Sequence, residues 1–335
     1  MGSPNPRRTA SGSGEDDVVE LIREALEARL GAAAPEEFSL RDDAAVLPAP
    51  VLPSGAPLVA SVDSVVEGVH VDPSVCSPGD IGWKALMGAL SDLAAMGAAP
   101  LGALVALCVP GGAGEGTLAL GVMRGVADAA AASGCPVLGG DVSGASQLVV
   151  SVTVFGTVAD GGPQEGGERC GPVPRSRARA GDVVLVTGPC GASAAGLREL
   201  RAGSADADGA GAHRRPVARL REGEVARRAG VHAMIDVSDG LALDLHRLAD
   251  ASAVGFRLDE VPVAPGATPD EALGGGEDYQ LLLAADPGRV EALGAAFAAA
   301  GLRRPVRIGV LDPDPSVRLL RGEPLAPLGW QHRVG

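Results

Sequence analysis

Apolar positions along the chain recur with two different periods, and the period tells helix from strand. Val19, Ile22, Leu26 and Leu30 fall three or four residues apart, which predicts an amphipathic helix over 16–30. Trp83, Leu86, Leu90 and Leu93 repeat that spacing and predict a helix over 80–96, and the alanine-rich stretch 115–133 predicts a third. Shorter apolar runs bounded by glycine and proline predict strands over 58–66, 101–109, near 137 and over 148–158, after a short run at Ala44-Ala45-Val46-Leu47. Residues 160–181 carry Gly, Pro, Arg and Glu without periodicity and mark a linker. Beyond it, a strand over 182–187, helices over 192–201 and 222–229, an apolar segment 233–250, strands near 256 and over 280–285, and a helix over 287–300 form a second unit.

Helix and strand signals alternate in both halves, so the expected fold is α/β (α+β) in two mixed domains. A chain of 335 residues is long enough for two domains of roughly 150 residues with a cleft between them. The expected divisions are a disordered tail 1–14, a first domain 15–159, the linker 160–181 and a second domain 182–335. Residues 203–211 lack any large apolar side chain and are expected to form a mobile surface insert.

The net charge of −14 and the dispersed arginines argue against nucleic acid or an anionic membrane surface as partner. The N-terminus has no apolar stretch of the signal-peptide kind, and the apolar region 94–110 is broken by Gly97, Pro100 and Gly102, which suits a buried strand better than a membrane span. Five cysteines without a C-x-x-C pair indicate neither a zinc site nor a disulfide framework. A reducing cytoplasm is the expected location.

The acidic excess is patterned. Aspartates sit beside small residues at the edges of apolar elements in Asp42-Asp43-Ala44, Ser61-Val62-Asp63, Leu90-Ser91-Asp92-Leu93, Gly139-Gly140-Asp141 and Ile235-Asp236-Val237-Ser238-Asp239-Gly240. Taken singly, each also suits a helix cap or a turn, and Asp239 in particular could N-cap a helix over 241–250. Asp92 is different, because it falls inside a helix between two leucines, where an unpaired buried carboxylate is costly. A bound cation removes that cost, and magnesium, which takes oxygen ligands from scattered carboxylates together with substrate phosphates, suits the set.

Of 28 basic residues, Lys84 is the only lysine. It precedes Asp92 by eight residues, about 12 Å along the same predicted helix and on roughly the same side. A compact ammonium there suits a phosphate or a carboxylate of the cluster, although a chance surface lysine is the competing explanation. The only tyrosine lies in Gly275-Gly276-Glu277-Asp278-Tyr279, where the glycine pair suggests close approach of backbone to a ligand. No P-loop, protein-kinase set or G-x-S-x-G elbow is present, so a phosphoryl-transfer enzyme of this sequence uses a less common fold.

The segments Ile81-Gly82-Trp83-Lys84-Ala85-Leu86, Leu90-Ser91-Asp92-Leu93-Ala94-Ala95-Met96-Gly97, Met234-Ile235-Asp236-Val237-Ser238-Asp239-Gly240-Leu241 and Gly275-Gly276-Glu277-Asp278-Tyr279 resemble the bacterial thiamine-monophosphate kinases. That family shares a superfamily with aminoimidazole ribonucleotide synthetase and selenophosphate synthetase, and the resemblance runs over residues 20–332. It implies two α/β domains: an N-terminal sheet that dimerises into a barrel-like interface and a C-terminal α/β sandwich. It implies direct transfer of the ATP γ-phosphoryl to thiamine monophosphate, the last step of thiamine diphosphate biosynthesis, in a homodimer.

By the same resemblance, Asp43, Asp63, Asp92, Asp141, Asp236 and Asp239 match the family's magnesium ligands, with Ser61 contacting a metal. Asp43, Asp92, Asp239 and Lys84 are expected at the reacting centre. Gly140, Asp141, Arg175 and Ser238 fall where the family binds ATP, and His70, Glu277 and Trp330 where it contacts thiamine phosphate. Trp330 could stack on a ring of the acceptor, with Glu277 offsetting the positive thiazolium; His70 equally suits a hydrogen-bonded histidine at a strand end. Two positions depart from the family pattern: Arg41 replaces a glycine before the paired aspartates, and Val62 replaces a hydroxyl residue able to reach a metal. The segment from His213 to Pro216, with Arg219, also matches the family, without a role that residue chemistry alone supplies.

Two relatives and one unrelated class compete. Selenophosphate synthetase is weakened because no cysteine precedes Cys76, and aminoimidazole ribonucleotide synthetase stays open on fold. A non-catalytic acidic metal-binding protein would bind magnesium indifferently to ATP, whereas a kinase would bind the two synergistically.

Overall fold

The computed structural model describes residues 42–47, 52, 56–112, 114–158, 171–203 and 210–332. The expected tail 1–14, the helix over 16–30, Arg41, Cys170, most of the linker and the centre of the 203–211 insert lie outside the described residues.

The first sheet has five strands, β1 (Ala45–Val46), β2 (Leu58–Val66), β3 (Ala99–Pro110), β4 (Val137–Ala145) and β5 (Val149–Thr157), in the order β1-β2-β5-β3-β4. All neighbours are antiparallel except β3 and β4, which run parallel because α2 (Glu115–Ser133) carries the chain back between them. Helix α1 (Pro78–Ala95) starts at a capping box, in which Ser77 and Asp80 each satisfy the other's backbone N–H, with Pro78 in the first turn. Helices α1 and α2 cover one face of the sheet, burying Leu86, Leu90 and Val126 against Val105, Val150 and Val152.

The opposite face is open. Val62 is 65% exposed and Leu138 62%, and β4 is exposed along its whole length. Among the described residues the sheet does not close into a barrel; β1 and β4 are its edges.

The remaining helices are α3 (Ala192–Arg201), α4 (Ala210–Arg214), α5 (Leu220–Arg228), α6 (Leu241–Ala251), α7 (Pro269–Gly274) and α8 (Val290–Ala299). The second sheet joins β6 (Val183–Val186), β7 (Ala233–Asp236), β8 (Gly255–Leu258), β9 (Leu281–Ala285), β10 (Val306–Asp312), β11 (Arg318–Leu320) and β12 (Glu323–Pro324) in the order β12-β11-β8-β10-β6-β9-β7. It is covered on both faces: Leu245, Leu248 and Phe256 belong to one core, and Leu283, Leu293 and Phe297 to another. Both architectures are mixed α/β, as expected. The strands β10 to β12 and the short α7 had no clear pattern, because strands of two to seven residues broken by charged bends show too few periods to read.

Helix α1 belongs to both units. Its first part packs under the first sheet, while Ala94 and Ala95 are buried in the core of the second. The buried Arg227 of α5 donates from Nε to the carbonyl of Gly97 at 3.0 Å, which ties the two units together at the end of this helix. Among the described residues, no helix is long and apolar enough to cross a membrane.

Candidate active site

Three carboxylates from three separate elements converge. Asp43 comes from the turn before β1, Asp92 from α1 and Asp236 from the end of β7, and each offers an oxygen within 4.8 Å of the others. Asp43 and Asp92 are half-buried and Asp236 is buried. Hydroxyls and one guanidinium hold them: Ser61 of β2 donates to Asp92 at 2.5 Å, Ser91 to Asp236 at 2.5 Å, and Arg175 Nη2 to Asp43 at 2.6 Å. The second oxygen of Asp43 is buried without a hydrogen-bond partner.

Burial raises the pKa of all three, and for Asp92 and Asp236 the neighbouring carboxylates raise it further; the Arg175 guanidinium opposes the shift at Asp43. Asp42, beside them, is pushed up to about 8 by burial and by Asp43. A one-sign cluster of desolvated oxygens with an orphaned lone pair is unstable alone and fits a hard divalent cation. With no histidine or thiolate in the set, the donors suit magnesium rather than zinc.

Asp63 lies beside this cluster on the helix-facing side of β2, and burial raises its pKa. A Cβ at position 88 of α1 would stand 3.0 Å from Asp63 Oδ2 and 3.1 Å from the Tyr279 hydroxyl, so Gly88 leaves the room both need. Asp239 does not cap α6. The N-cap is Gly240, and Asp244 of the first turn instead accepts the backbone N–H groups of Asp239 and Gly240, at 3.0 and 3.1 Å. Arg247 then bridges Asp244 and the Asp239 carboxylate. Ser238 contributes its carbonyl, which accepts the N–H of Glu277 at 2.7 Å.

Gly140 and Asp141 do not join the cluster of their own chain. Asp63 pairs with Val152, Val152 with Val105 and Val105 with Gly140, which puts three strand spacings, about 14 Å, between β2 and β4. Asp141 lies one row on, opposite Ala106, and so points to the open face while Asp63 points to the helices. Its carboxylate takes the Ser143 hydroxyl.

Lys84 is 1% exposed and its Nζ lies 2.8 Å from Glu277 Oε2. Its partner is therefore Glu277 rather than an aspartate of the cluster or a surface solvent shell. Glu277 adopts φ 63°, a left-handed backbone rare for a side chain of this kind, held by the Ser238 carbonyl. His213 lies 3.5 Å from the same Glu277 oxygen and 3.1 Å from the Ser193 hydroxyl; burial and Lys84 lower its pKa to about 4, so the ring is neutral. Around it, Trp83 donates to the Pro216 carbonyl, Arg214 to the Val75 carbonyl and Arg215 to Asp80. The segment 213–219 thus straps the second unit onto α1. His70 stands just past β2, its Nδ1 accepting the Val66 N–H at 3.0 Å, and Trp330 is 52% exposed.

Sequence reasoning missed Ser91, Asp244 and Arg247. The i,i+3 spacing of Asp244 and Arg247 is ordinary on a helix, and only the turn at 237–240 reveals what they hold.

Two family models divide the chain between them: "AIR synthase related protein, N-terminal domain" matches residues 41–158 and "AIR synthase related protein, C-terminal domain" residues 179–321. Together the two matches make the chain an AIR synthase-related protein. The thiamine-monophosphate kinase of Bacillus subtilis (strain 168) is 37% identical over 261 residues, which span 73% of this chain and 76% of that one. That of Caulobacter vibrioides is 34% identical over 322 residues, 89% of this chain and 86% of the relative. Among solved structures, AaThiL complexed with AMPPCP and TMP superposes with a TM-score of 0.78 at 29% identity, covering 95% of this chain and 97% of that one. The chain belongs to the thiamine-monophosphate kinase family.

Proposed function

We propose that the protein transfers the γ-phosphoryl group of ATP to thiamine monophosphate, forming thiamine diphosphate and ADP. The observation that carries this reading is the trio Asp43, Asp92 and Asp236, drawn from both units into one site with a buried, unsatisfied oxygen. The kinship with proteins named for that reaction, and with a structure holding AMPPCP and TMP, supports the choice of substrates.

An oxygen of the acceptor phosphate attacks the γ-phosphorus while the bond to the bridging oxygen breaks and its electron pair leaves with ADP. The acceptor is already an anion, so no strong general base is required. The residues must instead gather and align two polyanions. Asp43, Asp92 and Asp236, with Ser61 and the nearby Asp63 and Asp239, would hold magnesium, which neutralises phosphate charge when bound. Arg175 places a fixed cation beside Asp43. Lys84 acts through Glu277, pairing with that carboxylate and aiming it, so Lys84 is a positioning residue for the acceptor side. Trp330 offers an exposed ring for stacking on the acceptor.

A homodimer belongs to the same proposal. The open face of the first sheet carries Val62, Leu104 and Leu138, and β4 is an exposed edge, a surface that a second copy would cover. In that arrangement Gly140 and Asp141 would serve the partner's site, which reconciles their implied role in binding ATP and metal with their distance from Asp63. The division into domains at 160–181 is supported by the end of the first sheet at Thr157 and the start of the second at Val183. Free thiols at Cys76, Cys108, Cys135 and Cys190 support a reducing cytoplasm.

An assay of ADP formation with ATP, magnesium and a panel of phosphate acceptors tests the reading. Turnover on thiamine monophosphate with thiamine diphosphate as product is expected. Activity confined to another acceptor would overturn it.

A further inference from the structure

The C-terminal segment crosses from the second unit to the first. Leu328 accepts the backbone N–H of Leu243, and the N–H of Trp330 donates to the Asp239 carbonyl at 2.9 Å. Between them Gly329 lies against α6 so closely that a Cβ would stand 2.7 Å from that of Leu243. The segment then leaves α6 and brings His332 to His70, with Nε2 of one ring 3.3 Å from Nε2 of the other. Trp330 and His332 meet edge to face, with centroids 6.1 Å apart at 86°.

Proton placement in this pair follows from its neighbours. His70 Nδ1 accepts the Val66 N–H, so a neutral His70 carries its proton on Nε2 and donates it to His332. His332 must then present a bare Nε2 and carry its proton on Nδ1. Burial lowers the His70 pKa, which favours the neutral ring that this hydrogen-bond arrangement needs.

We propose that His332 is a positioning residue for the acceptor: it fixes the tautomer and orientation of His70 and braces the Trp330 ring, so that the C-terminal segment latches the two units together over the acceptor side. This rests on the kinase reading for the identity of the acceptor. It does not rest on that reading for the latch itself.

Two measurements on the full chain test it. In steady-state assays, His332→Ala should raise KM for thiamine monophosphate about fivefold, the effect of losing one neutral hydrogen bond, with KM for ATP and kcat within about twofold of the parent. His332→Gln, whose amide oxygen accepts the same proton, should restore KM. Equal KM in parent and His332→Ala would overturn the positioning role, as would a failure of Gln to restore it. In nitrogen-detected NMR of the histidine side chains, His70 should appear as the Nε2–H tautomer and His332 as the Nδ1–H tautomer, and His332→Ala should shift the His70 signals. A His70 signal indifferent to His332→Ala would overturn the latch. An inactive parent whose tautomers match would refute the kinase reading and leave the latch supported.

Discussion

Replacing Asp92 by Asn separates a metal-binding carboxylate from a structural one. Two unit charges 4.8 Å apart repel by about 3.5 kcal/mol at an effective dielectric of about 20, and Asp92 faces two such neighbours, Asp43 and Asp236. The metal-free protein escapes part of this by holding protons, so the relief from Asp92→Asn is about 3 kcal/mol. Asn keeps an oxygen that can accept the Ser61 hydroxyl, so that bond survives. Spread over the unfolding entropy of 335 residues, the relief raises the melting temperature in EDTA by about 4 °C. Magnesium with a non-hydrolysable ATP analogue should stabilise the parent strongly and the variant weakly, and turnover should fall roughly 100-fold or more. Differential scanning fluorimetry in EDTA and in magnesium, beside an ADP-release assay, reads all three. A variant that melts lower than the parent in EDTA, yet responds equally to magnesium, would refute the reasoning and make Asp92 a structural hydrogen-bond acceptor.

Lys84→Met leaves Glu277 without its partner, so stability should fall by about 3 kcal/mol while KM for the acceptor rises about tenfold; an unchanged KM would detach Lys84 from the acceptor. Asp244 has its pKa raised from 3.8 to about 7, chiefly by burial and then by Asp239. The folded state therefore holds that proton more tightly than the unfolded state. Its stabilising contribution, roughly 4 kcal/mol, is fully present below pH 3.8 and is lost as pH rises through 7. Urea unfolding in EDTA across that window should show the decline, and Asp244→Asn should flatten it. Leu138→Asp puts a charge on the open face of the first sheet, where Leu138 is 62% exposed; sedimentation should show a dimer for the parent and a monomer for the variant, and a monomeric parent would refute the proposed dimer.

Much of this protein is decided by its sequence alone. Periodicity determined α1, the helix that carries Lys84 and Asp92, because it buries a wide apolar stripe whose spacing survives any tertiary arrangement. The strands β2 and β5 were equally plain, being nine residues long and bounded by turn residues. The aspartates stood out as a set because carboxylates at the margins of apolar segments need a reason, and Lys84 because it has no companion. The sequence could not decide who meets whom. Lys84 and Asp92 share a helix, yet one turns to Glu277 and the other to Asp43 and Asp236, partners that lie far away in the chain on other elements. Whether Asp239 capped α6 depended on the turn before it, where Asp244 reaches back to the N–H groups of Asp239 and Gly240 and the Asp239 carboxylate turns to Arg247, an arrangement that only three-dimensional placement resolves. The face on which Asp141 lies was likewise set by strand register, since a shift of one residue would turn it to the helices. Local pattern specifies elements because their apolar faces are periodic in the chain. A site is assembled from residues with no common period, so its geometry exists only once the two sheets have packed around α1.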